Sequence, residues 1–256
     1  MPAKRVLFVT LVASLACLAP AFAQQTRLPS GFVYLRDIDP TIDQDIRYSG
    51  NNNFVGQALP GYDAGECILQ TPVAQALKQV QAELAPAGFA LKVYDCYRPT
   101  RAVQAMRQWA NDGRDESPTK RFFPSMSKRT LFAAGYIAPI SAHSAGIAVD
   151  LTMIRLGNAP RVGARSVQRY GSCAGPIMQR GGGDDSVDMG TGYDCFDLRS
   201  HTASPQISDE HRRMRTTLAT AMARHGFRNY SREWWHFTYN RVPNRVHRDF
   251  PIRPRN

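Results

Sequence analysis

The chain has 256 residues, 43% of them hydrophobic, and a formal net charge of +11 at pH 7. That length is enough for one domain with a sizeable core. The arginines are scattered and no basic repeat with interleaved aromatic residues occurs, so the charge does not indicate a nucleic-acid binder. No apolar run after the N-terminal one is long enough for a membrane helix, which argues against a membrane span.

The first residues predict an export signal. A basic start precedes an apolar run, Val6–Leu18, that is too short to span a bilayer, and Ala21-Phe22-Ala23 then matches a small-x-small cleavage site. We therefore expect a signal peptide over residues 1–23, a domain over residues 24–256, and a periplasmic or secreted protein. An uncleaved anchor is the alternative, which the short run and the cleavage site disfavour. For an exported protein, the positive charge fits contact with anionic cell-wall polymers, or serves solubility alone.

The first half of the expected domain predicts two helices and a strand. Residues 24–66 are rich in Gly, Pro, Asn and Asp and are expected to be mostly irregular. Thr71–Leu84 predicts a helix that Thr71 caps, with a proline in the first turn and one apolar stripe. Phe89–Tyr94 alternates like a half-buried strand. A second helix is expected over residues 99–109, where a proline opens it.

The second half predicts one more helix and three strands. Ile147–Met153 is expected to be a strand, and the glycine-rich residues 155–192 a long loop near the functional site. A helix is expected over Ser208–His225, capped by Ser208 and ended by Gly226. Two short strands follow, at Phe227–Asn229 and Trp234–Tyr239. Helices and short strands in no strict alternation predict an α+β single domain, with helices packed on a small antiparallel sheet.

The cysteines indicate an oxidising compartment. Cys17 lies in the expected signal peptide, and four cysteines remain. An even number predicts two disulfides, for which three connectivities exist. Cys67–Cys96 and Cys173–Cys195 are favoured because each closes a local segment. A zinc site made of all four is the alternative, which is weak because no Cys-x-x-Cys pair occurs.

Two short segments carry residues that fit a catalytic metal site. The first contains His143 and Asp150, and the second contains Glu233 and His236. Three protein ligands with an open position are typical of catalytic zinc, and the spare carboxylate suits a general base. A lone histidine is more often an ordinary polar residue, but two histidines and two acids in this pattern favour a metal. The sequence therefore predicts a zinc hydrolase that cleaves an amide bond.

The spacing of these residues needs two bends in the chain. His143 and Asp150 are an odd number of positions apart, so one continuous strand would point them to opposite faces. A turn or bulge at Gly146 would bring them together. Glu233 and His236 have the same problem on a strand, and a bend at the tryptophan that follows Glu233 would resolve it.

The motifs resemble those of one peptidase family. Ser-x-His-x-x-Gly-x-Ala-x-Asp at residues 141–150, followed by Glu-x-x-His at residues 233–236, resembles the zinc D-alanyl-D-alanine peptidases, whose metal sites are related to hedgehog-type and carboxypeptidase sites. Asp95-Cys96-Tyr97-Arg98-Pro99, the segment Met189–Asp194 and Arg199-Ser200-His201 resemble three further family motifs, with Tyr193 standing for a phenylalanine. The D-Ala-D-Ala dipeptidases of the vancomycin-resistance type are most similar, over nearly the whole of residues 24–256.

This resemblance implies a role for each motif residue. His143, Asp150 and His236 would bind one Zn²⁺ per chain. Glu233 would be the general base, which takes a proton from the zinc water and passes it to the leaving amine. Arg98 would stabilise the oxyanion of the tetrahedral intermediate. The alternative for Arg98 is a surface arginine that caps local carbonyl groups.

The resemblance also implies a substrate pocket. Asp194 would bind the free ammonium of the substrate, with help from Ser141, and a carboxylate there rejects an acylated chain. The alternative for Asp194 is a turn residue next to a cysteine. Of Trp234 and Trp235, one is expected to wall the pocket and the other to lie in the core. His201 is a candidate neighbour of the site, whereas His211 and His225 are expected on a helix surface.

Three functions remain in view. The first is hydrolysis of the D-Ala-D-Ala dipeptide, released from peptidoglycan fragments during cell-wall turnover. The second is a D,D- or L,D-carboxypeptidase that trims peptidoglycan stem peptides. The third is a non-catalytic wall-binding module, which would normally have lost Glu233 or a metal ligand. Residues 155–192, which include Gly181-Gly182-Gly183, depart from the family pattern, and we expect them at the pocket mouth.

Overall fold

Two sheets and four α-helices form the part of the chain that the computed structural model describes, which is residues 28–157, 171–177, 185–242 and 245–255. The strands are β1 (Phe32–Tyr34), β2 (Asp43–Gln44), β3 (Ile68–Gln70), β4 (Phe89–Asp95), β5 (Ala148–Arg155), β6 (Phe227–Tyr230) and β7 (Glu233–Tyr239). The helices are α1 (Leu35–Ile38), α2 (Thr71–Leu84), α3 (Thr100–Asn111) and α4 (Asp209–Arg224). The predicted signal peptide lies outside the described residues.

The main sheet has five strands in the order β2-β4-β5-β7-β6. All its neighbours are antiparallel except β2 and β4, which run parallel at one edge. Strands β1 and β3 form a second, antiparallel pair. One hydrophobic core joins both sheets and the helices. The predicted α+β class, with helices on a small antiparallel sheet in one domain, is confirmed, and the parallel edge strand is an addition to it.

Helix α2 has the predicted bounds but not the predicted cap. Its apolar stripe is buried, as helical spacing requires. The N-cap position is Gln70, and no side chain caps the helix there. Thr71 is instead the first helical residue, and its hydroxyl donates to the Gly31 carbonyl oxygen over 3.2 Å. The prediction that Thr71 caps α2 was therefore wrong, because a contact with a distant turn uses the hydroxyl.

Helix α4 begins and ends as its signals indicate. The Ser208 hydroxyl accepts a hydrogen bond from the backbone N–H of His211 over 3.2 Å, which is the expected N-cap. Gly226 follows the helix with φ +91°, a left-handed conformation that favours glycine. The chain then turns directly into β6, which places α4 against the strands that carry part of the site.

Strand β4 is buried on both faces, so the prediction of a half-buried strand was wrong. All seven of its residues are buried, including Lys92 and Asp95. Tyr94 on the second face stacks on Tyr193 with ring centroids 4.5 Å apart, and Arg47 lies over the same ring. Chain segments distant in sequence cover this face, and alternation within β4 carries no information about them.

Both predicted disulfides are present. Cys67–Cys96 joins the start of β3 to the end of β4, and Cys173–Cys195 joins the described part of residues 155–192 to the segment after it. Gly181-Gly182-Gly183 lie outside the described residues. Among the described helices, none combines the length and the apolar character that crossing a bilayer requires.

Candidate metal centre and active site

Gly146 makes the turn that brings His143 and Asp150 together. His143 lies in a short 3-10 turn, Ala142–Ala145, which Gly146 ends with φ +67°, and β5 begins two residues later. The positive φ of Gly146 disfavours any residue with a side chain, and a Cβ atom there would lie 2.4 Å from a ring carbon of Phe32. Only glycine therefore fits this position. The predicted turn at this glycine is confirmed.

The strand register aligns three polar residues across the main sheet. Asp95 on β4 pairs with Asp150 on β5, and Asp150 pairs with His236 on β7. Directly opposite residues point to the same face of a sheet. Asp150 and His236 are therefore neighbours because of the register alone, and His143 approaches them from the turn before β5.

Three side-chain atoms converge at this point. The Asp150 Oδ1 atom lies 3.0 Å from His236 Nδ1 and 3.3 Å from His143 Nε2, and the two imidazole nitrogens are 3.2 Å apart. Tetrahedral ligands at 2.0–2.1 Å from a zinc ion are about 3.3 Å from one another. Two imidazoles and a carboxylate at these separations fit a zinc ion. Among the described residues, His143, Asp150 and His236 form a cluster that could hold a metal ion.

The second nitrogen of His143 fixes which atom can bind a metal. His143 Nδ1 lies 2.7 Å from the carbonyl oxygen of Cys96. A carbonyl oxygen only accepts, so the proton belongs on Nδ1 and the Nε2 lone pair is left for a ligand bond. Cys96 is also a disulfide cysteine, so the backbone that orients this imidazole is crosslinked to Cys67.

A bulge in β7 brings Glu233 and His236 to the same side. The consecutive β6 residues Asn229 and Tyr230 pair with Phe237 and Glu233 of β7, respectively. The three β7 residues between Glu233 and Phe237 therefore have no partner on β6. The Glu233 Oε2 atom lies 3.9 Å from His236 Nδ1. The predicted bend after Glu233 is confirmed, and it spans residues 234–236.

Burial and neighbouring charged groups shift the pKa values of the Glu233 and Asp150 carboxyls. Burial raises the pKa of Glu233 well above its ordinary range, and the charges of Asp150 and Asp194 add to this. Burial would also raise the pKa of Asp150, but the imidazoles of His143 and His236 outweigh it and hold that pKa below the ordinary value. The surroundings of Asp150 thus favour its ionised form, and those of Glu233 make its carboxylate a stronger base than usual.

Arg98 is a buried neighbour of the ligands rather than a surface residue. Its side chain is 12% exposed, and its Nη2 atom lies 2.8 Å from Asp95 Oδ2 and 3.6 Å from Asp150 Oδ2. The guanidinium carbon lies 4.9 Å from the ring centroid of Tyr48. These contacts contradict the alternative of a surface arginine that caps carbonyl groups.

Asp194 lines the same cavity as the candidate metal ligands. It is buried, and its Oδ2 accepts a hydrogen bond of 2.8 Å from the Tyr48 hydroxyl. Burial raises the pKa of Asp194 well above its ordinary value, and the Asp150 charge adds to this. Its φ of +54° also makes it a turn residue, as the alternative interpretation expected. A cation that enters here would favour the ionised form of the carboxyl.

One cavity of about 270 Å³ contains all the candidate residues. Ser141 lines it and also caps the 3-10 turn, since its Oγ accepts from the His143 N–H over 3.3 Å. Both tryptophans are buried in the core, but of the two only Trp235 also lines the cavity, and Trp234 donates to Thr191 Oγ1. The lining is Tyr48, Phe54, Arg98, Met106, Gly135, Tyr136, Ile137, Ala138, Ile140, Ser141, Ala142, His143, Asp150, Asp194, Phe196, Tyr230, Glu233, Trp235 and His236.

The remaining histidines do not line this cavity. His201 lies 3.3 Å from the hydroxyl of Tyr136, a lining residue, and so is a neighbour of the site. His211 contacts Asp188, and His225 contacts Glu83. None of the described residues of 155–192 is part of the lining, and the rest of this segment, which was expected at the pocket mouth, lies outside the described residues.

Three residues at the site had no predicted role. Tyr48 contacts Asp194 and Arg98, Tyr193 donates to Asp150 Oδ2 over 3.1 Å, and Asp95 binds Arg98. Asp95 and Tyr193 lie within the motifs described above, so their positions in the sequence could have identified them. Tyr48 lies in a segment with no pattern, so only the folded chain identifies it.

Comparison with known proteins gives a consistent result. A profile described as D-Ala-D-Ala dipeptidase matches residues 29–165 and 168–252. A D-alanyl-D-alanine dipeptidase of Enterococcus faecium is 30% identical over 87% of this chain and 98% of that protein. One of Streptomyces coelicolor is 30% identical over 86% and 98%. The vancomycin-resistance D,D-pentapeptidase VanY in complex with Zn(II) matches 71% of this chain and 77% of its own, at 15% identity and a TM-score of 0.35, too low to carry an argument.

Proposed function

This chain belongs to the D-Ala-D-Ala dipeptidase family of zinc metallopeptidases, and we propose that it hydrolyses the free dipeptide D-Ala-D-Ala with one zinc ion per chain. His143, Asp150 and His236 would hold the ion. The observation that carries the proposal is the convergence of their three ligand atoms within 3.3 Å, in the cavity that also contains Glu233 and Asp194.

A zinc ion held by His143, Asp150 and His236 would supply Lewis-acid chemistry and lower the pKa of water. Glu233 supplies the proton transfers: its carboxylate accepts a proton from the attacking water and delivers it to the nitrogen of the leaving amine. The raised pKa of Glu233 supports this role, because a carboxylate with a higher pKa is a stronger base. The Glu233 carboxylate lies 3.9 Å from His236 Nδ1, and this short distance supports the role.

Arg98 provides positive charge for the developing oxyanion. Asp95 fixes the guanidinium through Nε at 2.9 Å and Nη2 at 2.8 Å, so it does not have to reorganise during the reaction. The Tyr48 ring lies beneath it. A charge held this rigidly in a buried site stabilises a transition state more than a mobile surface arginine would.

Asp194 provides the preference for a free dipeptide. A substrate ammonium would pair with its buried carboxylate, whereas an acylated amine would leave that carboxylate unpaired in a poorly solvated site. With the predicted signal peptide, the substrate would be dipeptide from peptidoglycan outside the cytoplasm. We propose recycling of cell-wall fragments as the role.

The experiment compares the release of D-alanine from D-Ala-D-Ala and from its N-acetyl derivative, in the wild type and in Glu233→Gln and Asp194→Asn. We expect hydrolysis of the free dipeptide alone, a loss of about 10²–10⁴-fold in kcat for Glu233→Gln, and reduced discrimination in Asp194→Asn. Preferential hydrolysis of the acylated substrate would instead identify a carboxypeptidase of stem peptides. Zinc binding with no hydrolysis of either substrate would favour a wall-binding module.

A further inference from the structure

The bulge in β7 leaves backbone groups that the sheet does not pair. The residues that lie between Glu233 and Phe237 have no opposite residue on β6. A bulge of this kind interrupts the ladder of hydrogen bonds, and buried carbonyl oxygens must then find other donors. Glu233 and His236 stand at the two ends of the interrupted stretch, so whatever satisfies these carbonyls also sets the spacing of the two side chains.

The side chain of Asn229 on β6 supplies the missing donors. Its Nδ2 atom donates to the carbonyl oxygen of Glu233 over 2.9 Å and to that of His236 over 3.0 Å. The Trp234 carbonyl oxygen is 3.5 Å from the same nitrogen. Carbonyl oxygens only accept, so the amide can face the bulge in one orientation only. Thr202 fixes the other end, because its hydroxyl donates to Asn229 Oδ1 over 2.5 Å.

We propose that Asn229 is a positioning residue for the active site. It holds the backbone at both ends of the bulge and thereby sets the separation between the Glu233 carboxylate and the His236 imidazole. Without the bulge, residues three positions apart on a strand would point to opposite faces, and only one of the two could reach the cavity. The proposal rests on the proposed function, in which His236 binds zinc and Glu233 transfers the proton.

The test is Asn229→Asp, which keeps the shape of the side chain but replaces the amide donors with an acceptor oxygen that faces carbonyl groups. Zinc affinity is measured by competition with a chromophoric chelator, and kcat and KM are measured for D-Ala-D-Ala. We expect a rise of about 10-fold or more in the zinc dissociation constant and a similar fall in kcat, with KM nearly unchanged. Asn240→Asp, at an exposed position just after β7, makes the same charge change and should leave all three quantities at the wild-type value.

The outcomes separate positioning from general stabilisation. A purely structural role would lower the melting temperature but leave the zinc affinity and kcat of the folded fraction unchanged, and that result would overturn the proposal. Thr202→Val is a milder variant that removes the donor to Asn229 Oδ1, and it decides the question if Asn229→Asp does not fold. A Thr202→Val protein with wild-type zinc affinity and kcat would then overturn the proposal. Failure of the wild type itself to bind zinc or cleave the dipeptide would contradict the proposed function instead.

Discussion

Asp150 and His236 lie directly opposite each other on β5 and β7, with Oδ1 of the carboxylate 3.0 Å from Nδ1 of the imidazole. The pairing register alone makes these residues neighbours, although they are 86 positions apart in the chain. A slip of one residue between the strands would turn one of them to the other face of the sheet. The geometry of the metal centre therefore depends on the pairing of β5 with β7.

The first prediction concerns Asp150→Asn. The change keeps the side-chain shape but removes the charge that pairs with a metal cation, so zinc binding should weaken. Zinc at 100 times its dissociation constant stabilises a folded protein by about 2.7 kcal/mol. We expect added zinc to raise the melting temperature of the wild type and of an Asp63→Asn control, whose side chain is exposed, but hardly that of Asp150→Asn. Equal shifts in all three proteins would show that zinc binds elsewhere.

The second prediction concerns Tyr48→Phe. The variant removes only the hydroxyl that donates to Asp194 and keeps the ring beneath Arg98. Hydrogen bonds to charged groups contribute about 1.5 kcal/mol or more, so KM for the free dipeptide should rise about 10-fold with a smaller change in kcat. Steady-state kinetics measure both quantities. In the control Tyr34→Phe, which loses a hydroxyl that contacts Arg253 outside the cavity, both should stay at the wild-type values. A fall in kcat at constant KM would assign Tyr48 to the reaction step instead.

The third prediction concerns the pH dependence of stability in the metal-free protein. Burial raises the pKa of Asp194 above its ordinary value of 3.8. The contribution of such an acid to stability is fully present below its unfolded pKa and is lost as the pH rises through the folded value. Replacing it with Asn should therefore stabilise the protein, with a gain that grows above pH 4 by at most about 1.4 kcal/mol per pH unit.

Urea unfolding at pH 5 and pH 7 measures this difference. Asn tolerates the left-handed backbone at position 194, so the substitution adds no strain. Asp197 provides a control without a pH trend in this range. Burial would raise its pKa, but hydrogen bonds from Arg199 outweigh this and hold the pKa below the ordinary value of 3.8. Asp197 is therefore ionised at both pH values, and Asp197→Asn should destabilise the protein equally at pH 5 and pH 7. The same pH trend in both variants would contradict the assignment for Asp194.

The fourth prediction compares the two disulfides. Replacing either pair with serines removes a crosslink over a loop of similar length and should cost about 3–4 kcal/mol of stability. Only the Cys67/Cys96 variant should also weaken zinc binding, because the Cys96 carbonyl orients the His143 imidazole. The Cys173/Cys195 variant should act on KM through the neighbouring Asp194. Zinc titration and steady-state kinetics distinguish the two, and an equal loss of zinc affinity in both would refute the distinction.

Local patterns predict α2 to α4 and β4 to β7, because the determinants of these elements are close in sequence, but they do not predict α1 and β1 to β3. Helix α2 follows its apolar stripe, α4 follows Ser208 and Gly226, and the turn at Gly146 follows from the odd spacing of two ligands. The motif residues of the proposed metal centre could be identified from the sequence for the same reason. Each of these features depends on a few neighbouring residues or on the helical spacing of apolar residues.

Features set by distant segments could not be predicted in this way. The second face of β4 is covered by residues far along the chain, and the Thr71 hydroxyl is used by Gly31 rather than by its own helix. Tyr48 acts on Asp194 across 146 positions, from a segment without periodicity. Most polar contacts around the site are set by distant segments, whereas the groups proposed to bind the metal stand in local sequence motifs.

Residues 248–252 support the turn that carries His143. The Arg248 N–H donates to the Ser144 carbonyl oxygen in that turn, Phe250 stacks on Tyr97, and Ile252 is fully buried with two backbone hydrogen bonds. A proteolytic cut just before Arg248 would therefore loosen a proposed metal ligand, although the cut removes no residue that lines the cavity.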